Sequence, residues 1–265
     1  MRFGSLGLPE LLLLALVILL LWRGRGLPSL GRRLGERARK PFRQAGWICG
    51  SLAGSKADAL RAEEQFGSEC AREFSAQFPG EVAPDRQDWV AATGSRLADA
   101  LADERRRFTF RAVAAPAANA FALPGGFVFV TGALLDLYAG CPDELAFVLG
   151  HEMGHVVKSH ARDRLMAELV FDLLGRRAPG AGRVVRDLLG KGYAREQELE
   201  ADRAAVRLLS TAGFDAGGAL RALQRLEQLG PDRAGLAEYF STHPSLAERV
   251  RALRDAACGE SARAD

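Results

Sequence analysis

The sequence predicts a mainly helical α+β fold with a small antiparallel sheet beside a buried helix, preceded by an apolar N-terminal segment. Three observations support this prediction. Apolar residues recur at helical spacing in residues 147–157 and 193–209. An aromatic and β-branched run of strand length follows a Pro-Gly-Gly turn in residues 124–130. The stretch from residue 6 to residue 22 is almost continuously apolar.

The predicted organisation has a main domain and three flanking parts. A chain of 265 residues that is 48% hydrophobic and has no internal repeats supports one compact domain with an attached segment. We expect a membrane anchor or signal segment at residues 1–22 and a basic linker with Gly and Pro at residues 23–57. The main domain then covers residues 58–258, and a polar tail covers residues 259–265.

The apolar run from Leu6 to Trp22 is long enough to cross a bilayer. Counted from Phe3, it covers about 20 positions, or about 30 Å of helix. A cleaved signal peptide is the alternative, but only Arg2 precedes the run and no small-residue cleavage site follows it. We therefore expect a single uncleaved anchor in membrane lipid. The basic residues at positions 23–43 place the main domain in the cytoplasm by the positive-inside rule, while the periplasmic side stays open.

The remaining elements follow in order along the chain. Residues 58–102 predict amphipathic helices with a break at residues 79–84, and residues 108–114 predict a strand that pairs with the run at 127–130. Residues 165–174 form an apolar stretch too short to span a membrane, and residues 175–183 predict a loop that covers the cleft. Residues 217–230 and 245–255 predict two closing helices.

A histidine pair with an adjacent glutamate lies in the first of the strongly periodic segments. On a helix, His151 and His155 are about 40° apart and one turn above each other, so both imidazoles reach one metal ion. Glu152 leans off this axis, where a carboxylate acts as a general base towards water. His160 points to the opposite side and is expected to pack or to support the site from behind. Such a short pattern also arises by chance in unrelated helices.

A third ligand is expected in the helix at residues 193–209. A catalytic zinc site commonly takes three protein ligands and leaves a position for water. Glu198 supplies that ligand, and Asp202, one turn later, accepts the free ring N–H of a ligand histidine. The alternative is a solvated acidic face paired with Arg195 and Arg203.

Four sequence blocks resemble the gluzincin metallopeptidases that include HtpX, the CAAX prenyl proteases and the BepA-like peptidases. They are the HExxH segment, the ExxxD segment, the block at residues 119–135 and the block at residues 241–250. The resemblance implies a zincin-like domain with one Zn²⁺ per chain. It also implies a role for His243, either in stabilising the oxyanion or in occupying the open metal position. The multi-spanning members carry membrane segments that the short stretch at residues 165–174 does not provide.

The block at residues 119–135 suggests where substrate binds. An exposed sheet edge would accept a peptide as an added strand, with Asn119, Ala120 and Phe121 as contacts. The alternative is that these side chains form core.

The predicted function is therefore zinc-dependent endopeptidase activity on unfolded or membrane-associated proteins. Two alternatives are a catalytically silent, membrane-tethered zinc-binding adaptor and a zinc hydrolase of non-peptide amides. A formal net charge of +3 gives no indication of nucleic-acid binding. The four cysteines, at positions 49, 70, 141 and 258, lack CxxC spacing, so separate thiols are favoured over disulfides and the compartment stays undecided.

Overall fold

The computed structural model describes residues 55–103, 105–160, 162–163, 192–231 and 235–264, with the backbone alone for Lys56 and residues 257–264. Contacts divide the chain into two units, residues 1–59 and residues 60–265. Residues 55–59 are the described part of the first unit. There Ser55 and Asp58 form a reciprocal helix cap, in which the Ser55 hydroxyl accepts the Asp58 N–H and the Asp58 carboxylate accepts the Ser55 N–H, each at 3.2 Å.

Eight helices and three short strands form the described part of the chain. In chain order they are α1 (Lys56–Ser75), α2 (Pro84–Leu101), β1 (Thr109–Val113), β2 (Ala120–Leu123), β3 (Phe127–Thr131), α3 (Gly132–Leu137), α4 (Pro142–Val157), α5 (Arg195–Thr211), α6 (Gly217–Leu229), α7 (Ala237–Thr242) and α8 (Leu246–Ala264). The mainly helical prediction is confirmed. The residues of the predicted polar tail, up to 264, continue α8.

The sheet is mixed, which corrects the prediction of an antiparallel sheet. Strand β2 pairs antiparallel with β3, in the register Ala120↔Val130 and Phe121↔Phe129. Strand β1 pairs parallel with β3, and the strand order is β1-β3-β2. The three strands alternate in direction along the chain, and the β2–β3 hairpin returns β3 into the middle of the sheet. The last strand therefore runs in the same direction as the first.

The hairpin turn between β2 and β3 requires glycine. Gly125 and Gly126 have φ values of +82° and +88°, and a Cβ on Gly126 would lie 2.1 Å from the Arg107 carbonyl oxygen. The Glu63 carboxylate on α1 accepts the Gly125 N–H at 3.2 Å, which fixes the turn against that helix. The turn predicted from Pro-Gly-Gly is thus present.

Helix α4 is the centre of the domain. Its residues from Glu144 to Val156 are all buried, and it packs against α2, α5, α6 and the sheet. The contact with α5 is especially close at Gly154, where a Cβ would lie 3.1 Å from the Ala201 Cα. Because α4 is enclosed on all sides, side chains at its C-terminal end have a fixed position and little access to bulk water.

Several sequence predictions fall outside the described residues. They are the N-terminal anchor and the linker before residue 55, the apolar stretch at residues 165–174 and the cover loop at residues 175–183. Among the residues that the structure does describe, no helix combines the length and the apolar composition needed to cross a bilayer.

Candidate metal centre

Three elements of the fold bring four metal-binding side chains together. His151 and His155 lie one turn apart on α4, Glu198 lies in the first turn of α5, and His243 follows α7. All four are buried, and one candidate ligand atom from each lies within 4.8 Å of the others. The sequence prediction had placed the first three in one site, and the structure brings these residues together.

The spacing of the donor atoms fits a single metal ion. The Nε2 atoms of His151 and His155 face each other at 3.0 Å, and Glu198 lies 3.6 Å and 3.3 Å from them through Oε2 and Oε1, respectively. The second carboxylate oxygen of Glu152 is buried beside them without a hydrogen-bond partner. Two imidazoles and a carboxylate are a donor set typical of a catalytic zinc site. The residues therefore fit one Zn²⁺.

The Nδ1 atom of His151, which faces away from the candidate ligand atoms, contacts a buried carboxylate. Asp202 Oδ1 lies 2.8 Å from His151 Nδ1. Because a carboxylate accepts, Nδ1 carries the proton and Nε2 keeps its lone pair for a metal. Burial raises the pKa of Asp202, but the Arg249 guanidinium and His151 outweigh it and lower this pKa to about 2. Asp202 is therefore ionised at neutral pH.

The outer nitrogen of His155 contacts a second histidine. His160 Nδ1 lies 3.0 Å from His155 Nδ1, and His160 Nε2 lies 3.3 Å from Glu200 Oε2. A helix that continued through residue 160, as the sequence predicts, would turn His160 away from the site. Helix α4 instead ends at Val157, and Ser159, with φ +63°, turns the chain so that His160 reaches the ligand. Tyr193 also stacks on the His155 ring, with centroids 3.7 Å apart.

Arg249 is the site residue that the sequence analysis missed. It is the largest fully buried side chain in the described part of the chain, with 0% exposure. Its guanidinium donates to both oxygens of Asp202, at 2.7 and 2.8 Å, and Nη1 lies 2.7 Å from Glu198 Oε2. An arginine on an amphipathic helix normally predicts a solvated face. The signal that could have found it is its position six residues after His243 in the same block.

The environment of the site keeps Glu198 and His155 in their metal-binding forms. Burial raises the pKa of Glu198, but Arg249 and the neighbouring imidazoles outweigh it, so this pKa lies well below its usual range. Burial lowers the pKa of His155 well below its usual value, despite the nearby Glu198. Glu198 is therefore a carboxylate and His155 a neutral imidazole, which are the forms that bind a metal.

His243 links the ligands, the expected general base and the sheet. Its Nδ1 lies 3.3 Å from Glu198 Oε1, and its Nε2 lies 3.4 Å from Glu152 Oε1 and 3.3 Å from the Ala120 carbonyl oxygen. Burial lowers the pKa of His243, but the carboxylates of Glu198 and Glu152 outweigh it and raise this pKa above its usual value.

The three residues expected to bind substrate lie at the edge strand β2, on the side of His243. Asn119 is buried and donates to Glu238 at 3.1 Å, while its carbonyl Oδ1 is left without a hydrogen bond. The Phe121 ring packs between Phe74 and Phe129, with centroid distances of 4.5 and 5.4 Å. The edge is buried rather than exposed, since Ala120 has 0% exposure. The Phe121 side chain is therefore core, and it is the backbone of β2 that faces the site.

Comparisons with known proteins agree with this geometry. Over 149 residues, 53% of this chain and 30% of the relative, it is 34% identical to the mitochondrial metalloendopeptidase OMA1 of Arabidopsis thaliana. It is 26% identical to OMA1 of Schizosaccharomyces pombe over 209 residues, 74% of this chain and 61% of the relative. It is 30% identical to the metalloprotease LoiP of Escherichia coli over 149 residues, 52% of this chain and 58% of the relative.

The match to these relatives is partial. In each of the three alignments the chain covers less than two thirds of the relative's own length. The family match is broader, because residues 84–257 match Peptidase family M48 and contain every residue of the site described above. The predicted relationship to metallopeptidases is confirmed, and the chain belongs to Peptidase family M48.

Proposed function

We propose that this protein is a zinc-dependent endopeptidase that hydrolyses peptide bonds in protein substrates. The observation that carries the proposal is the convergence of His151, His155 and Glu198 in one buried cluster, with Glu152 beside them. Each of these residues is in the family-matched region. In this proposal His151, His155 and Glu198 hold one Zn²⁺, and Asp202 supports His151 from behind.

The side chains around the cluster divide the chemistry among them. When bound, zinc supplies Lewis acidity, which makes water more acidic and polarises a peptide carbonyl. Glu152 takes a proton from the attacking water and later returns it to the leaving nitrogen. Its buried position favours this role, because one oxygen has no hydrogen bond and is available to accept a proton. A binding module would have no use for a buried carboxylate with one oxygen left without a hydrogen bond, which argues against the silent adaptor.

The test compares two Glu-to-Gln changes on the same helix. E152Q removes the base, and we expect zinc content to remain while turnover of an unfolded protein such as casein falls about 10²–10⁴-fold. E144Q is the matched control, because Glu144 is also buried on α4 but pairs with Arg225. We expect E144Q to keep most of its activity, and a chelator to abolish the activity of both wild type and E144Q. Full activity in E152Q would disprove the proposal.

We further propose that His243 holds the position next to the ion that water must enter during catalysis. Its contacts to Glu198 and Glu152, at 3.3 and 3.4 Å, support this role. H243A should then raise turnover per bound zinc at low substrate concentration. A lower kcat at unchanged zinc content would instead assign His243 to stabilisation of the oxyanion. Wild-type kinetics and wild-type zinc affinity would remove it from the site.

We propose that a substrate strand binds along the edge of β2 that faces away from β3, where it replaces the contacts that now bury this edge in the described part of the chain. Asn119 accepts the Thr131 N–H, so in this antiparallel register the backbone groups of Ala120 and Ala122 point away from β3. The His243 ring now contacts the Ala120 carbonyl, and substrate would replace that contact. A122P removes the outward N–H, whereas A122G keeps it. We expect A122P to lower kcat/KM about tenfold more than A122G, the cost of one hydrogen bond. Equal values would exclude this edge.

We propose that the substrates are unfolded or membrane-associated proteins and that residues 1–22 anchor the chain in lipid. The apolar run and the basic residues after it support a cytoplasmic catalytic domain. A reporter fused after residue 265, together with extraction of membranes by carbonate, tests both anchoring and orientation. Release of the protein by carbonate would disprove the anchor, and reporter activity on the periplasmic side would reverse the orientation.

A further inference from the structure

Arg249 is placed where its charge meets two buried carboxylates at once. It projects from α8 and is completely buried, a state that arginine adopts when its charge is paired. Both carboxylates belong to α5, one turn apart, and the planar guanidinium fork spans them. A lysine has one compact ammonium group and could not reach both in the same geometry.

The two oxygens of Glu198 are not equivalent in this arrangement. Oε2 lies 2.7 Å from Arg249 Nη1, in an ion pair whose angle falls outside that of a hydrogen bond. Oε1 lies 3.3 Å from both His155 Nε2 and His243 Nδ1. Oε2 therefore lies closest to the guanidinium and 3.6 Å from His151 Nε2, whereas Oε1 lies nearest to the imidazoles of His155 and His243.

The Arg249 guanidinium also holds Asp202, the carboxylate that contacts His151. It donates to both Asp202 oxygens, at 2.7 and 2.8 Å, and Oδ1 of that carboxylate lies 2.8 Å from His151 Nδ1. Asp202 has two rotatable side-chain bonds, and this fork fixes both of its oxygens. The orientation of the His151 ring therefore depends on Arg249, both through Asp202 and through Nη2, which lies 3.2 Å from His151 Nδ1.

From these contacts we infer that Arg249 is a positioning residue that makes Glu198 a ligand through Oε1 alone. It occupies Oε2 and so prevents the carboxylate from turning both oxygens towards the ion. Without the guanidinium, Oε2 would be free to bind, since it is already 3.6 Å from His151 Nε2. A second oxygen would then add a ligand beside the position that water needs. The inference rests on the proposed ligand role of Glu198.

The experiment uses the full-length protein and three arginine variants. R249M keeps the length of the side chain but removes its charge, and R249K keeps the charge but removes the fork. R225M is the matched control, because Arg225 also donates to both oxygens of a glutamate, Glu144, at 2.7 and 3.1 Å, but lies outside the site. Circular dichroism first establishes that each variant is folded. Zinc affinity is then measured by competition with a chelating dye.

The decisive measurement is the visible absorption of the cobalt(II)-substituted protein, which reports the number of ligands around the ion. We expect R249M to lower zinc affinity about 10–100-fold, as loss of an outer-shell partner typically does. We expect R249M and R249K to lower the cobalt absorption per ion by about half, because a fifth ligand weakens it. R225M should match the wild type in both measurements. If Arg249 only stabilised the fold, R249K would restore the wild-type cobalt spectrum. If Arg249 positions Glu198, the spectrum of R249K stays changed.

Each other outcome overturns the inference. It fails if folded R249K keeps the wild-type cobalt spectrum, and this variant decides the matter if R249M does not fold. It also fails if R225M changes the spectrum as much as the Arg249 variants do. E198Q separates this failure from that of the proposed site. Wild-type zinc affinity in E198Q would disprove the ligand assignment itself, whereas weak binding in E198Q with normal Arg249 variants would disprove this inference alone.

Discussion

The two histidines of the metal centre are supported from behind in different ways. The support of His151 is ionic and completely enclosed, because Asp202 and Arg249 are 1% and 0% exposed. The support of His155 runs outwards through His160 to Glu200, whose side chain is 46% exposed and pairs with Lys158 at 2.7 Å. Both arrangements fix the ring, but only one of them ends at solvent.

The two kinds of support give one site both rigidity and access to solvent. A buried ion pair costs much free energy when one partner is lost, because the remaining charge has no water to solvate it. A chain of neutral imidazole contacts that ends at a surface carboxylate loses less, since water replaces its outer member. Changes on the His151 side should therefore affect folding and metal binding together. Changes on the His155 side should affect mainly metal binding.

The largest effect is expected for D202A. The substitution leaves Arg249 buried without its bidentate partner, which typically costs about 3–5 kcal/mol of unfolding free energy. Zinc affinity should fall about 10–100-fold as well, because His151 loses the acceptor that sets its tautomer. Urea unfolding of the metal-free protein measures the first quantity, and dye competition measures the second.

The control for D202A is D136A. Asp136 also pairs with an arginine, Arg86, but its side chain is 58% exposed. We expect D136A to change the unfolding free energy by less than about 1 kcal/mol. Similar losses in the two variants would show that burial does not distinguish these pairs, and the comparison would then fail.

A smaller effect on stability is expected for H160F. Phenylalanine keeps a ring of similar size but cannot accept the His155 Nδ1–H, which leaves one buried donor unpaired at a cost of about 1–3 kcal/mol. Zinc affinity should fall about tenfold. An unfolding free energy as low as that of D202A would contradict the distinction between the two sides. Unchanged zinc affinity would show that His160 only packs.

The smallest effect is expected for E200Q. This change weakens the exposed ion pair with Lys158, which is worth less than about 1 kcal/mol, and keeps an oxygen that accepts from His160. We expect zinc affinity to stay within about threefold of the wild type. A loss of zinc affinity as large as that of H160F would show that the support of His155 depends on the surface carboxylate of Glu200.

The part of the site that follows helical spacing could be predicted from the sequence. The i, i+4 relation alone places His151 beside His155 and Glu198 beside Asp202. The positions of His160 and Arg249 could not be predicted in this way. The first depends on a left-handed residue at Ser159, a conformation for which serine gives little signal. The second depends on the packing of α8 against α5, a tertiary contact with no local pattern.

The elements of the fold also differ in whether a local sequence pattern predicts them. The longer amphipathic helices and the Pro-Gly-Gly turn have strong local signals. Residues 119–121 were expected at a sheet edge, but the bounds of β2 were not predicted, and the short helices α3 and α7 were missed, because four to six residues carry too little periodicity. The direction of β1 relative to β3 was also missed. It is set by which strand occupies the middle of the sheet, and neither strand's own sequence specifies that choice.

The lack of a side chain at Gly154 affects which ions the site selects. A Cβ there would lie 3.1 Å from both the Ala201 Cα and its carbonyl oxygen, whereas at Gly150 the nearest atoms are at an ordinary 3.5 Å. The separation of α4 and α5 is thus set by the absence of a methyl group between His151 and His155. The imidazoles belong to one helix and Glu198 to the other. The separation of the helices therefore sets the distance between the ligand atoms, and with it the radius of the ion that fits. Adding that methyl would widen the gap and shift the preference of the site towards larger cations.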